Sequence, residues 1–336
     1  MKRKLAFLLM LCFGWSFFLN GCGGTLPKTD DRLQVVCTIF PEYDWARQLT
    51  QGVDNVDLTL LVKNGTDLHS YQPSVRDIAM IARADVFCYV GGVSDTWVND
   101  VLDTTENRTA QLVSMVEAAD ADEEVLAEGM QAEHEHEHEH EHEHDHHDDE
   151  SDSHEEPPEL DEHVWLSLRR AALACTAMKE ALCKADPAHE DIYNQNCTDY
   201  LQKLQELDSD FTEMTSQAAR DTIVVADRFP FRYLAEDYGL TYYAAFPGCS
   251  AETEASFETI VFLSEKVESL HLPCVLVTEG SNSSLAKTIL ENAGSDGKIL
   301  TLQSLQAVSQ KEIDTGVTYL SKMQENYDVL KQALNS

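Results

Sequence analysis

No two cysteines in this 336-residue chain stand at Cys-x-x-Cys spacing, which excludes a zinc ribbon or a thioredoxin-like redox centre. A Gly-x-Ser-x-Gly elbow and a phosphate-binding loop are missing too, so acyl transfer by an exposed serine and nucleotide chemistry both lack a constellation. Basic residues are few: 24 Lys plus Arg stand against 60 Asp plus Glu, a formal charge of -36. None of the bases lies between Asp120 and Glu162, where 21 of the acids are concentrated; elsewhere 39 acids face 24 bases. Such a surface repels nucleic-acid phosphates and excludes nucleic acid as a partner.

Long apolar runs are equally scarce. Leu5 to Leu19 is the one stretch that stands out, and it is shorter than the ~20 residues a membrane-spanning helix needs. It follows Lys2-Arg3-Lys4 and ends in Leu19-Asn20-Gly21-Cys22, the pattern of a signal peptide closed by a lipobox. Residues 1–21 are therefore expected to be removed, and Cys22 to carry lipid that holds the chain to the outer face of the cell membrane. Residues 22–31 would then form a lipidated tether. Seven other cysteines remain once Cys12 leaves with the leader. An odd set cannot all pair, and they read as buried small hydrophobes, with a Cys249 to Cys274 bridge left open.

What is present is a repeating alternation. Strand-like runs at residues 33–40, 56–62 and 85–90 flank a helical pattern at 74–84. The same signature returns after residue 220, with strands at 221–227, 241–246, 274–279 and 298–302 and helices at 231–238, 256–270 and 284–293. Alternation of this kind predicts an α/β fold of two lobes, each a mainly parallel sheet flanked by helices. The N-terminal lobe is expected over 32–185 and the C-terminal lobe over 219–336. Between them, Asp186-Pro187 opens a segment with no glycine or proline to Gln217 and apolar residues at helical spacing. The expectation is one long rigid helix over 186–218 joining the lobes. Inside the first lobe, a His- and acid-rich insert at about 120–160 cannot build a core and is expected to be disordered.

Two segments place a histidine at an element boundary. Gly65-Thr66-Asp67-Leu68-His69-Ser70-Tyr71-Gln72-Pro73-Ser74 follows a strand and precedes a helix, where ligands sit in doubly wound sheets. Asp161-Glu162-His163-Val164-Trp165-Leu166-Ser167 ends the insert and leads into the helix from Leu168 to Lys184. Together with the histidine-rich insert, these motifs resemble the zinc and manganese ABC-transporter solute-binding family, the zinc-uptake and streptococcal-adhesin type of lipoprotein, from Leu33 to the C-terminus.

The resemblance implies that one metal is held between the lobes, with His69 and His163 as ligands. Asp67 and Asp161 are then candidates to orient the two rings. It also implies a third ligand just after the first strand of the second lobe. Here that place is taken by Arg228, which stays protonated and cannot ligate. Either Asp227, one residue earlier, supplies an oxygen or this ligand comes from elsewhere, and Asp227 and Arg228 then simply pair with each other across the cleft. Glu279, at the end of the strand 274–279, is the candidate fourth ligand. The loop from Phe246 to Glu254 corresponds to a cleft-facing loop in the family, which puts Cys249 and Glu254 nearby, though neither enters the expected ligand set.

Two imidazoles and two carboxylates would leave zinc and manganese both open. The insert favours Zn2+, with Mn2+ as the alternative. His134, His136, His138, His140, His142, His144, His146, His147 and His154 alternate with carboxylates and form many weak sites suited to zinc. A literal His-Glu-x-x-His at His136 follows from that repeat alone and lacks the amphipathic helix a metalloprotease needs. The implied function is extracytoplasmic capture of Zn2+ and delivery to the permease of an ABC importer, not catalysis. The alternatives are a manganese-specific carrier, or a surface adhesin or metal store acting through the histidine tract.

Overall fold

Strands covered on both faces read as near-continuous apolar runs, and the computed structural model places such runs, Val86–Tyr89 and Cys274–Thr278, at inner positions of two sheets. The structure describes residues 32–63, 65–105, 109–130, 159–250 and 254–336. The leader, the tether with Cys22 and the nine histidines from His134 to His154 lie outside the described residues.

The first sheet holds β1 (Leu33–Cys37), β2 (Val56–Leu60), β3 (Val86–Tyr89) and β4 (Gln111–Ser114), in the order β2-β1-β3-β4. The second holds β5 (Thr222–Phe229), β6 (Thr241–Pro247), β7 (Cys274–Thr278) and β8 (Lys298–Leu302), in the matching order β6-β5-β7-β8. Every pairing is parallel. Helices α1 (Phe40–Leu49), α2 (Val75–Ile81), α3 (Trp97–Thr104), α4 (Met115–Ala118) and α5 (Leu168–Ala185) belong with the first sheet. The long α6 (Glu190–Ser216) leads to the second, followed by α7 (Arg232–Asp237), α8 (Phe257–Ser269), α9 (Ser284–Asn292), α10 (Gln310–Asp314) and α11 (Tyr319–Asn335).

Helix α6 has 27 residues, about 40 Å at 1.5 Å per residue. Its buried stripe of Tyr193, Cys197, Tyr200, Leu204, Leu207, Phe211 and Met214 recurs every three to four positions, which is why it lies flat along a core. The Asp186 carboxylate does not cap it; it accepts hydrogen bonds from the Tyr193 hydroxyl at 2.8 Å and the His189 ring at 2.6 Å. Packed against α6 are α5, α1 and α11. One apolar core consequently runs through both lobes, from Val35 and Cys88 past Phe211 and Tyr319 to Val225 and Leu276.

Two local readings need correction. The first strand was expected to reach Phe40, but it stops at Cys37 because the Glu42 side chain folds back to accept the Thr38 and Ile39 backbone N–H groups, at 2.8 and 3.3 Å, and opens α1. The margins of the insert are also more structured than its composition suggested. Glu123 bridges Leu160, Glu124 N–H donates to the Glu159 carbonyl at 2.8 Å, and Met130 packs on the core.

Candidate metal centre

Beyond β2, the Asp67 carboxylate accepts the His69 backbone N–H at 3.1 Å and closes a single helical turn over Leu68–Ser70. That turn aims the His69 ring inward. Its Nδ1 lies 2.6 Å from Ser94 Oγ and 3.2 Å from Glu162 Oε1. Ser94 in turn donates to Glu162 through both its hydroxyl and its backbone N–H. Burial pushes the Glu162 carboxyl up, but the hydrogen bond from His69, the proximity of His163 and the Ser94 hydroxyl outweigh it and hold the group below the usual glutamate range. An ionised acceptor on this side assigns the proton to Nδ1 and leaves the Nε2 lone pair free.

His163 is arranged in the same way by different means. Asp161 Oδ1 accepts both its backbone N–H, at 3.1 Å, and its ring Nδ1, at 2.9 Å. The side chain is fully buried. Burial alone would lower its pKa, yet the Asp161 hydrogen bond and charge, with Glu162 and Glu124 beyond, raise it above the ordinary histidine value. The surrounding loop is clamped from the second lobe: Tyr233 donates its hydroxyl to the Asp161 carbonyl at 2.8 Å, Trp165 Nε1 donates to the Ser304 carbonyl at 2.8 Å, and Tyr319 donates to the Trp165 carbonyl at 2.6 Å.

The two rings face each other with centroids 5.6 Å apart. Both Nε2 atoms are buried and without a hydrogen-bond partner. A buried polar atom left unmatched is costly, and two on rings this close can be satisfied together by one electrophile. The third group is Cys249, carried in by β6: one ligand atom each of His69, His163 and Cys249 all lie within 4.8 Å of one another. Gly248 makes this approach possible, since a Cβ there would stand 2.8 Å from Cε1 and 2.9 Å from Nδ1 of His163. Cys249 Sγ also donates to Glu162 Oε1 at 3.6 Å. Burial and the neighbouring carboxylates push the thiol pKa far up.

The carboxylates proposed as ligands are engaged elsewhere. Asp227 accepts the Thr278 hydroxyl at 2.8 Å on one oxygen and the Arg228 backbone N–H at 2.9 Å on the other, which ties β5 to β7. Glu279 accepts the Ser304 hydroxyl and backbone N–H, both at 2.6 Å, and so holds the carbonyl that anchors Trp165. Neither belongs to the group that includes the two histidines, and nor does Glu254. The pairing of Asp227 with Arg228 across the cleft is replaced by another: the Arg228 guanidinium meets Asp67 at 2.8 Å, between the lobes. Asp67 therefore sets the His69 backbone, while Ser94 and Glu162 set its ring.

Ser94 and Glu162 were missed in the sequence. The available hint was the pair Gly91-Gly92, because a Cβ on Gly92 would collide with the Glu162 carboxylate. Behind them lie two further buried acids. Burial pushes Glu42 up to about 8, with repulsion from Asp95 adding to it. Asp95 is pushed up to about 7 by burial, against two backbone N–H bonds and with help from Glu162.

A family model described as the zinc-uptake complex component A, periplasmic (ZnuA), matches residues 35–333. The chain belongs to this family. Among its ZnuA-family relatives, the zinc-binding lipoprotein AdcA of Streptococcus pneumoniae is 31% identical over 99% of this chain, which spans 61% of that relative's length. The high-affinity zinc uptake system protein ZnuA of Bacillus subtilis is 30% identical over 98% of this chain and 96% of its own. The crystal structure of the Zn(II)-bound ZnuA-like domain of pneumococcal AdcA superposes with a TM-score of 0.68 at 28% identity, covering 91% of this chain and all of that domain.

Proposed function

We propose that this chain is the extracytoplasmic binding component of an ABC importer, taking up Zn2+ between His69 and His163 and handing it to the permease. The observation that carries the reading is the pair of buried, unpartnered Nε2 atoms on rings whose centroids lie 5.6 Å apart, each with its opposite ring nitrogen held by an acceptor. That is the arrangement a neutral imidazole needs to donate its lone pair to a metal. The pneumococcal relative, a zinc-binding lipoprotein, and the Bacillus relative, a high-affinity zinc uptake system protein, support zinc as the cargo. The protein would bind and release without turnover. Lipid on Cys22 would keep it at the membrane beside its permease, and the nine histidines of the insert would collect zinc for the cleft.

The test is calorimetric titration of zinc in the presence of a competing chelator. His69→Ala and His163→Ala should each abolish the single tight site, leaving only weak binding by the histidine tract. Unchanged tight stoichiometry in both variants would sink the proposal.

A further inference from the structure

Arg228 occupies the position on β5 where a third ligand was expected, and its guanidinium is turned away to Asp67. The register of the second sheet shows what takes its place. Arg228 pairs with Phe246 and Phe229 with Pro247, so the chain leaving β6 through Gly248 passes the mouth of β5 and delivers Cys249 to the two imidazoles. Five of the other cysteines, Cys37, Cys88, Cys175, Cys197 and Cys274, are buried in the apolar core. Among the described residues the Cys249 sulfur alone joins a metal-competent group. The fully buried, unpartnered His163 Nε2 is an independent sign that this space awaits an electron-pair acceptor.

We infer that Cys249 is the third protein ligand, that the site is a two-histidine, one-thiolate centre spanning both lobes, and that it selects thiophilic divalent ions of the zinc class against manganese. This rests on the reading that the metal sits between His69 and His163. Zinc bonds of about 2.0–2.1 Å to nitrogen and 2.3 Å to sulfur put tetrahedral ligand atoms about 3.5 Å apart. The present limit of 4.8 Å closes to that with a shift of about an ångström. As the sulfur–metal bond forms, the S–H bond breaks and the proton goes to solvent, so the metal carries one thiolate and two neutral imidazoles. A thiolate is soft and favours zinc, cobalt and cadmium; manganese prefers oxygen donors and gains little from it.

The experiment titrates cobalt(II) into the full chain under reducing conditions. The first equivalent should bring up a near-ultraviolet sulfur-to-cobalt charge-transfer band together with visible bands of a tetrahedral ion. The histidine tract contains no sulfur, so it cannot produce the former. In Cys249→Ser the charge-transfer band should vanish while visible bands persist, and zinc affinity should fall by about tenfold or more with manganese affinity little changed. Cys249→Asp should then narrow the preference for zinc over manganese by a similar factor. Thermal melts of each variant in chelator establish that it is folded. A charge-transfer band that survives in Cys249→Ser, or a first equivalent without one in a protein that still needs both histidines, overturns the thiolate ligand alone. Loss of any requirement for His69 and His163 would instead overturn the underlying site.

Discussion

Asp161 and Glu162 stand next to each other in the chain yet serve different rings, the first His163 and the second His69. Removing either should mis-set a ring without removing a ligand. Asp161→Asn is expected to weaken zinc binding by about 10–100-fold at unchanged stoichiometry, as loss of a partner behind a metal-bound histidine does; competition against a chelator would measure it. Glu42 makes a separate prediction for the metal-free protein. Its folded pKa, up to about 8 from 4.5, lies above the unfolded value. The folded state therefore holds the proton more tightly, and this stabilisation is complete at acid pH and lost as pH rises through about 8. Glu42→Gln should flatten the fall in stability between pH 5 and 8, read by urea denaturation in chelator. A slope identical to the parent's would show that Glu42 ionises without cost.

The end of β6 illustrates how a backbone element sets chemistry. A Cβ on Gly248 would stand 2.8 Å from the His163 ring, so Gly248→Ala must displace either the ring or the strand. Overpacking of this kind should cost about 1–3 kcal/mol and should also weaken zinc binding, which thermal melts with and without zinc would reveal. At the end of β7, Glu279 fastens the loop that holds Trp165. Glu279→Ala gives up two charge-assisted hydrogen bonds and should cost about 1.5–3 kcal/mol of stability while keeping the single zinc site. Were zinc binding lost with the fold intact, Glu279 would be a ligand after all.

Both sheets, α6 and α11 share one core. The Asp44 carboxylate accepts the Tyr319 backbone N–H at 2.7 Å, and Arg47 donates to the Val317 carbonyl at 3.0 Å, so α1 of the first lobe fixes the start of α11 of the second. Tyr319 itself packs edge-on to Trp45 with centroids 5.1 Å apart. Lobes joined this way should unfold together: calorimetry of the metal-free protein is expected to show one cooperative transition, and two resolved peaks would mean separable cores. The Asp67–Arg228 pair also crosses between the lobes, but both side chains are about one-third exposed. Arg228→Ala should therefore change stability by less than about 1 kcal/mol.

Much of this architecture was legible in the chain. The spine helix was visible because a glycine- and proline-free stretch with apolar residues every three to four positions can bury only one stripe. The two histidine motifs were visible because capping turns and strand ends are short-range patterns, and Asp67 and Ser74 write theirs within a few residues of His69. β4 and α11 escaped notice; the first is only four residues long and the second earns its place by contacts with α1 and α6 far back in the chain. The choice of acid for each role was beyond reach for the same reason. Asp227, Glu279 and Glu162 are the same kind of group at similar boundaries, and which one holds a strand, a loop or a ring depends on what the fold packs opposite it. Local order and the two histidine motifs come from neighbours along the chain; that a thiol just past β6 lies near both imidazoles, while Arg228 turns to a partner 161 residues away, follows only from parallel register and the packing of one lobe on the other.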